Sequence, residues 1–514
     1  MPHNRRLLRN VSAEAGARVF YLVTRFFIPP FVLARVGMEA YGLYGTLFVL
    51  VAYFGMSAIG FSSAYIKYVA EFQANGETAR ANRMLSSGFT LMSAIGILGF
   101  GAFLACWPRV EVWMKVPDNL RADARSLAFL IIGTFFAYLA LSVFRDTLTG
   151  LQQIAVIQRV WIISFLVETA LIFALVGNGW GLLGLSISFS VRTAIELVAH
   201  YRLATERIPW LRIRWVRPDR DSLRLLLNFG GIVQLNAMLS IFLNSVERVI
   251  ATPLLGLTAS GLLDLGKRFP AMATSIPSSF ASSVLPAAAE LHANSANKES
   301  TADLYLQTSR LMNAVSGLLF AFLACFATFC LSVWLGKLPE GAAELVVLFA
   351  LSSQVHLLTG PGTSILKAIG NPKMEFHYSI ANVAALAVIV PFVPRTVTGI
   401  AAACVAATIL SATWFIARAN AEMGVSLRRY AMDVLLPGLV PYAAGTILLL
   451  LTPAATGRWE SLVVLAIIGP VFVLLAAAGL YGVCANSAER QTIRQLSNRL
   501  PFFGLPTEVG EPGL

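Results

Sequence analysis

Fourteen stretches of this chain are each apolar over about 17 to 25 residues, the length that an α-helix needs to cross about 30 Å of hydrocarbon. These stretches constrain the fold strongly, because only lipid can cover the apolar faces of so many helices. Charged residues make up 13% of the sequence, whereas soluble domains average about 25%. We predict an all-α polytopic membrane protein of about fourteen transmembrane helices, at residues 12–36, 41–68, 85–107, 126–147, 155–177, 181–203, 224–246, 259–288, 307–335, 342–366, 376–394, 398–419, 431–452 and 460–484.

The basic residues indicate how these helices are oriented. Arginines collect before the first span, after the second, in the loop after the sixth and behind the last, whereas the alternate loops hold few. By the positive-inside rule, both termini are predicted to be cytoplasmic. This placement accounts for the net charge of +12, so we predict no nucleic-acid partner. Arg18 and Arg25 interrupt the first apolar run, which favours a membrane helix over a cleaved signal peptide.

An internal repeat relates the first and seventh spans at an offset of about 219 residues. About eleven identities fall in roughly 39 positions without a gap, where composition alone would give about three. Gly37, Ala40, Gly42, Leu43 and Glu71 recur as Gly256, Ala259, Gly261, Leu262 and Glu290. With a slip of one residue, Arg6 and Asn10 also match Arg224 and Asn228.

The repeat predicts two parallel six-helix bundles, since an even number of crossings separates the two copies. The predicted domains are an N-lobe at 1–203, a basic cytoplasmic linker at 204–223, a C-lobe at 224–421, two extra helices at 422–486 and a cytoplasmic tail at 487–514. Two lobes with a seam between them suit a transporter that exposes its substrate to each side in turn. The alternative is a duplication that merely enlarged a membrane scaffold.

Charged side chains occur inside several predicted spans, where each costs about 2.5 to 3.5 kcal/mol at the bilayer centre. On the first helix, Glu14, Arg18 and Arg25 fall within about 40° of one another. Either such cations line a hydrated cavity or each forms a buried ion pair, and those near the ends of spans can instead extend to the interface. The candidate substrate-binding cations are Arg25, Arg192, Arg18, Arg145, Arg248, Lys267 and Arg268. Because guanidinium groups bind phosphate oxygens in a bidentate manner, a cationic cavity indicates an anionic cargo.

Acidic residues in or beside the same spans are candidates for gating or ion coupling. Arg192 and Glu196 form an i, i+4 pair. Glu71 and Glu290 recur across the repeat at the expected cytoplasmic ends of their helices, where they either close an inner gate or simply occupy the interface. The full set is Glu14, Glu196, Asp264, Glu71 and Glu290.

Signals for enzymatic chemistry are missing from the sequence. It contains no P-loop, HExxH or GxSxG motif, so we predict no catalytic residues and no enzyme. Five cysteines lie in or near apolar spans without metal-ligand spacing, so neither a metal site nor a cofactor is predicted. The loop at about 204–222, with Trp210 and Trp215 among arginines, is typical of an interfacial segment attracted to anionic lipid, and a protein-docking role stays open.

These features resemble the Wzx-type polysaccharide flippases of the MOP superfamily, which are related to MATE exporters and MurJ-type lipid II flippases. The resemblance covers roughly residues 5–485. It is carried by the Tyr41-Gly42-Leu43-Tyr44 stretch, the run from Phe61 to Glu71, the six-plus-six repeat and the arginines within helices.

The resemblance implies a flippase in the bacterial inner membrane that moves undecaprenyl-pyrophosphate-linked oligosaccharide by alternating access. It implies that the partners are this lipid-linked substrate and membrane lipid, with a polysaccharide polymerase and chain-length proteins as further candidates. The alternatives are a MATE-like drug/ion antiporter and a MurJ-like lipid II flippase. Many Wzx-type and MATE proteins have twelve helices, so the extra pair here points toward the MurJ branch, whereas the N-terminal segment lacks the pattern expected of that branch.

Overall fold

The computed structural model describes residues 2–293, 298–371, 373–454 and 457–484. Within the helices, it does not describe the side chains at 2–15, 17–19, 21–23, 25, 56–59, 229–237, 240–241, 279–283, 285–287, 289–293, 298–300 and 483–484. Four candidate residues therefore have side chains outside the described part: Glu14, Arg18, Arg25 and Glu290.

Sixteen α-helices make up almost all of this described part, which contains no β-strand. The first seven are α1 (Pro2–Ala74), α2 (Thr78–Trp113), α3 (Arg121–Gly150), α4 (Ile154–Leu171), α5 (Gly181–Arg207), α6 (Arg220–Leu255) and α7 (Leu257–Ala293). The others are α8 (Lys298–Cys325), α9 (Ala327–Leu335), α10 (Ala342–Leu357), α11 (Thr359–Ala368), α12 (Lys373–Ile389), α13 (Val397–Met423), α14 (Leu427–Tyr430), α15 (Leu436–Leu451) and α16 (Arg458–Gly479). A π-helical turn extends α4 over Ile172–Val176, and another joins α14 to α15 over Ala431–Leu435.

The fold class predicted from sequence is confirmed, because each of the fourteen predicted spans coincides with a helical segment. Among the described residues, eleven segments are long and apolar enough to cross a membrane. Spans 12–36 and 41–68 correspond to the two arms of α1, and spans 224–246 and 259–288 correspond to α6 and α7. Spans 307–335 and 342–366 are each built from two consecutive helices, α8 with α9 and α10 with α11.

A glycine with positive φ separates the two helices at the start of each repeat. Gly37 breaks α1 with φ 80° and ψ 169°. Gly256, its counterpart in the repeat, separates α6 from α7 with φ 91° and ψ −175°. Only glycine adopts such a conformation without strain. The repeat seen in the sequence therefore preserves a backbone conformation as well as residue identities.

The two repeats meet at a close helix crossing just beyond these glycines. A Cβ atom on Gly42 would lie 1.9 Å from the backbone oxygen of Leu257, and one on Gly261 would lie 3.0 Å from that of Met38. Gly42 matches Gly261 in the repeat, and Met38 matches Leu257, so the contact is pseudo-symmetric. Glycine recurs at both positions because the backbone of each helix occupies the space that a side chain on the glycine of the facing helix would need.

An extended segment, which we call the strap (residues 208–219), runs along α2. Backbone amides of Arg212, Arg214 and Val216 donate hydrogen bonds to the side chains of Asn82, Ser86 and Thr90, over 2.7, 3.2 and 3.1 Å. The spacing matches because two extended residues advance about 6.6 Å and four helical residues about 6.0 Å. The sequence predicted a basic loop here but not its pairing with a helix.

Residues 1–266 and 379–407 form a first compact unit, and residues 267–378 with the chain from 408 onward form a second. In the first unit, α1 packs against α3 and α6, and α3 packs against α2 and α5. Apolar residues of α1, α2 and α3 enclose one core there, together with Ile208 and Leu211 of the strap. In the second unit, α8 packs against α10 and α15, and α16 packs against α9 and α15. The assignment of lobes from the repeat stays a prediction.

Candidate functional site

Arg192 of α5 lies between two carboxylates inside the first unit. Its Nε atom is 3.6 Å from Glu168 Oε2 on α4 and 3.8 Å from Glu196 Oε1 one turn along its own helix. Ser164 donates a hydrogen bond of 2.9 Å to Glu196. The guanidinium also lies over the ring of Phe189, 5.2 Å from its centroid. The sequence left open whether Arg192 lines a hydrated cavity or forms a buried ion pair, and in this structure it forms the ion pair.

Arg145 and Asp146 extend this group on α3. The two side chains approach to 3.7 Å, yet 42% of the Arg145 side chain is exposed and only 1% of Asp146. Arg145 also interacts electrostatically with Tyr138 and Glu196. Arg145 is therefore the more accessible of the two candidate cations in this group.

The group formed by Arg145, Asp146, Glu168, Arg192 and Glu196, here called the lobe cluster, has mixed charge and is not simply cationic. Its two guanidiniums face three carboxylates, so its formal charge is −1 when every group is ionised. Pairing lowers the large cost of holding charge away from water. Sequence reasoning missed Asp146 and Glu168 as members, although both are carboxylates inside predicted spans and that signal was available.

A second charged group lies beside the glycine crossing of the two repeats. Arg248 of α6 forms a 2.9 Å ion pair with Asp264 of α7, and both side chains are largely buried. Tyr41 donates a short hydrogen bond of 2.5 Å to the same carboxylate. Arg248 also donates to the backbone oxygen of Gly45 over 3.4 Å. We call Arg248, Asp264 and Tyr41 the seam triad.

The remaining candidates whose side chains the structure describes are Lys267, Arg268 and Glu71. In the second unit, the ammonium of Lys267 lies 5.6 Å from the ring centroid of Phe349, and Arg268 is half-buried. Glu71 is exposed at the end of α1. The roles predicted for these residues, and those predicted for Glu14, Arg18, Arg25 and Glu290, stay predictions.

Comparison with known proteins identifies relatives of this chain. The sequence profile of the family described as "Polysaccharide biosynthesis protein" matches residues 22–292, which is just over half of the chain. The uncharacterized membrane protein EpsK of Bacillus subtilis (strain 168) is 21% identical over 347 residues, covering 66% of this chain and 68% of EpsK.

Two solved structures share the fold at low sequence identity. Lipid II flippase MurJ, in an inward closed conformation, superposes with a TM-score of 0.71 at 12% identity, covering 94% of this chain and 99% of that one. An inward-facing multidrug resistance MATE family transporter of the MOP superfamily gives a TM-score of 0.66 at 13% identity, covering 78% of this chain and 94% of that one. The family profile and the shared architecture confirm the resemblance drawn from the sequence: the chain belongs to the polysaccharide biosynthesis protein family and is a multi-pass membrane protein with the fold of the MOP superfamily.

Proposed function

We propose that this protein is a flippase that moves an undecaprenyl-pyrophosphate-linked oligosaccharide from the cytoplasmic to the periplasmic leaflet of the bacterial inner membrane, with both termini cytoplasmic. The observation that carries the proposal is the family match over residues 22–292. The fold supports it, because the likeness to lipid II flippase MurJ extends over 94% of the chain and the likeness to the MATE transporter over 78%.

The charges of the first unit are compatible with a phosphate-bearing cargo. Arg145 is the accessible cation of the lobe cluster, with 42% of its side chain exposed. A guanidinium in surroundings of low dielectric binds phosphate oxygens strongly and in a defined orientation. Arg192 is already paired with Glu168 and Glu196, so its role in this proposal is to position those carboxylates while Arg145 meets the cargo.

Drug/ion antiport is a second candidate, and the lobe cluster gives a specific reason to test it. Three carboxylates outnumber two guanidiniums there, and an excess carboxylate inside a membrane protein is a typical binding site for a proton or a metal cation. The same excess is compatible with a flippase driven by an ion gradient. The two functions therefore differ in the molecule that is transported, and an experiment has to identify that molecule.

The test is deletion of the gene and complementation with wild type, Arg145→Gln, Arg192→Gln and the control Arg125→Gln, which changes an exposed arginine at the start of α3. A flippase predicts that deletion and Arg145→Gln remove surface polysaccharide and accumulate lipid-linked oligosaccharide in the cytoplasmic leaflet, whereas the control restores export. Unchanged polysaccharide together with increased drug sensitivity would support antiport instead. Cross-linking in the same strains tests the expected polymerase and chain-length partners.

A further inference from the structure

A cavity of about 620 Å³ opens in the first unit where the end of α1 meets the starts of α2 and α6. Three arginines line it, Arg80 and Arg83 from α2 and Arg224 from α6. Tyr68 of α1 and Asn228 of α6 contribute a hydroxyl and an amide. The lobe cluster and the seam triad contribute none of these residues, so the cavity is separate from the candidate site described above.

Among the described residues, two of the three guanidiniums are not held in a close ion pair, although Arg83 interacts electrostatically with Asp219. Arg80 pairs with Glu77 at 3.0 Å. In the part of the chain that the structure describes, neither Arg83 nor Arg224 has a carboxylate oxygen within 4.0 Å.

Two aspartates also line the cavity, and they reduce its positive charge without cancelling it. The carboxylate of Asp219 accepts hydrogen bonds from the backbone amide and the hydroxyl of Ser222, at 3.1 and 3.0 Å. Asp221 lies in the first turn of α6, where the helix dipole stabilises a negative charge. Three arginines and two aspartates leave the lining with a formal charge of +1.

The strap holds these groups in place. Asp219 donates its backbone amide to Ser87 of α2 over 3.3 Å, which joins the start of α6 to the helix that carries Arg80 and Arg83. Asn82, between those two arginines, donates to the backbone oxygen of Trp210 over 2.6 Å and accepts from the amide of Arg212. The backbones that carry the cavity arginines are therefore fixed relative to one another, which lowers the entropic cost of ordering them around a ligand.

The cavity lies beside residues of the kind enriched at the depth of lipid headgroups. Trp215 is exposed and packs edge-on against Phe89 of α2, 5.4 Å between ring centroids, and tryptophan is enriched at the membrane interface. Phe89 lies six residues beyond Arg83, about 9 Å along the helix. Arg224 and Asn228 are also the residues that match Arg6 and Asn10 in the internal repeat, although both are exposed and add little to the core.

We propose that this cavity binds the phosphate headgroup of a membrane lipid, with the guanidiniums of Arg83 and Arg224 holding the phosphate oxygens. The lipid is either a lipid-linked pyrophosphate on its way to translocation or an anionic phospholipid of the same leaflet. The proposal rests on the cavity and on the expected cytoplasmic orientation of these helix ends. It holds for a flippase and for an antiporter alike.

The test is native mass spectrometry of the purified full-length protein in detergent. The probes are undecaprenyl pyrophosphate, phosphatidylglycerol, phosphatidylcholine and inorganic pyrophosphate. We expect Arg83→Gln and Arg224→Gln each to weaken binding of the preferred anionic lipid about tenfold, roughly one charge-assisted contact, and the double variant to weaken it about a hundredfold. Arg220→Gln is the matched control for each single variant, because it removes one positive charge from an exposed neighbour that does not line the cavity. Arg83→Lys/Arg224→Lys tests whether charge alone suffices.

Each outcome decides the proposal. Preference for undecaprenyl pyrophosphate identifies the lipid pyrophosphate part of the proposed substrate as the ligand, and preference for phosphatidylglycerol identifies a structural lipid. Equal binding of phosphatidylcholine, equal weakening by Arg220→Gln, or unchanged binding in the double variant would overturn it, since the contact would then be acyl-chain binding or diffuse surface charge. Tight binding of free pyrophosphate would overturn the assignment to a lipid. If the double variant keeps the wild-type melting temperature but no longer binds the lipid, misfolding is excluded. Polysaccharide export by the same variant is measured separately. Failure of the lipid-binding proposal therefore leaves the proposed flippase function testable.

Discussion

Gly42→Ala should separate the two helices that cross at the start of the repeats. The added Cβ would lie 1.9 Å from the backbone oxygen of Leu257, and contacts of this kind are essentially never closer than 3.0 Å. The two backbones must therefore move apart by about 1.1 Å, the difference between these distances. Neither partner can rotate away, because the obstructing atom belongs to the backbone of α7.

The expected cost of this overpacking is about 1 to 3 kcal/mol, reduced by up to about 1 kcal/mol because alanine favours a helix more than glycine does. The assay is reversible unfolding of the purified protein in mixed micelles of increasing SDS content, with thermal melting as a second measurement. Separation of the crossing also moves the seam triad, since Tyr41 is the residue before Gly42 and donates to Asp264 of α7.

Two matched substitutions make the prediction quantitative. A Cβ on Gly261 would lie 3.0 Å from the oxygen of Met38, and one on Gly45 would lie 3.5 Å from the guanidinium of Arg248, an ordinary contact with a side chain. We expect the loss of stability to rank Gly42→Ala above Gly261→Ala, with Gly45→Ala unchanged or slightly stabilised. Equal stability of Gly42→Ala and Gly45→Ala would refute the reasoning, because both replacements have the same helix propensity and differ only in the crossing.

Three further predictions concern charges. Arg248→Ala should destabilise the protein by about 3 to 5 kcal/mol in the same unfolding assay, because it removes the guanidinium that lies 2.9 Å from the buried carboxylate of Asp264. Arg248→Ala combined with Asp264→Ala should recover part of that loss. Arg192→Gln should lower the melting temperature more than Arg145→Gln does. Arg192 compensates two buried carboxylates, whereas 42% of the Arg145 side chain is exposed. The reverse order of melting temperatures would contradict the arrangement of the lobe cluster. The pKa of Asp219 is lowered because donors in the first turn of α6 hydrogen-bond its carboxylate. Its capping contribution is therefore full above the ordinary pKa of 3.8 and lost as pH falls through the lower folded value. The protection factors against hydrogen exchange at the start of α6 should decrease over that pH range in wild type and show no such step in Asp219→Asn.

Much of the fold was predictable because the responsible signals are local. The length and polarity of each apolar stretch located the membrane-spanning helical segments, since lipid selects spans by thickness. The repeat predicted that Gly37 and Gly256 are equivalent, and the structure gives both a positive φ, 80° and 91°. The sequence also predicted the Arg192 and Glu196 pair, because residues four apart lie on one helix face.

Tertiary structure decided which charges meet. Glu168 approaches Arg192 from a different helix, and Tyr41 reaches Asp264 across 223 residues of sequence. Such contacts depend on how each helix is rotated about its axis and where it crosses its neighbour, and hydrophobic periodicity in an almost uniformly apolar helix defines neither. The sequence therefore determined that ionisable groups lie within the membrane spans. The packing of the helices determined that three carboxylates meet two guanidiniums in the lobe cluster. It also determined that two other arginines, Arg83 and Arg224, line a separate cavity, with no carboxylate of the described residues within ion-pair distance.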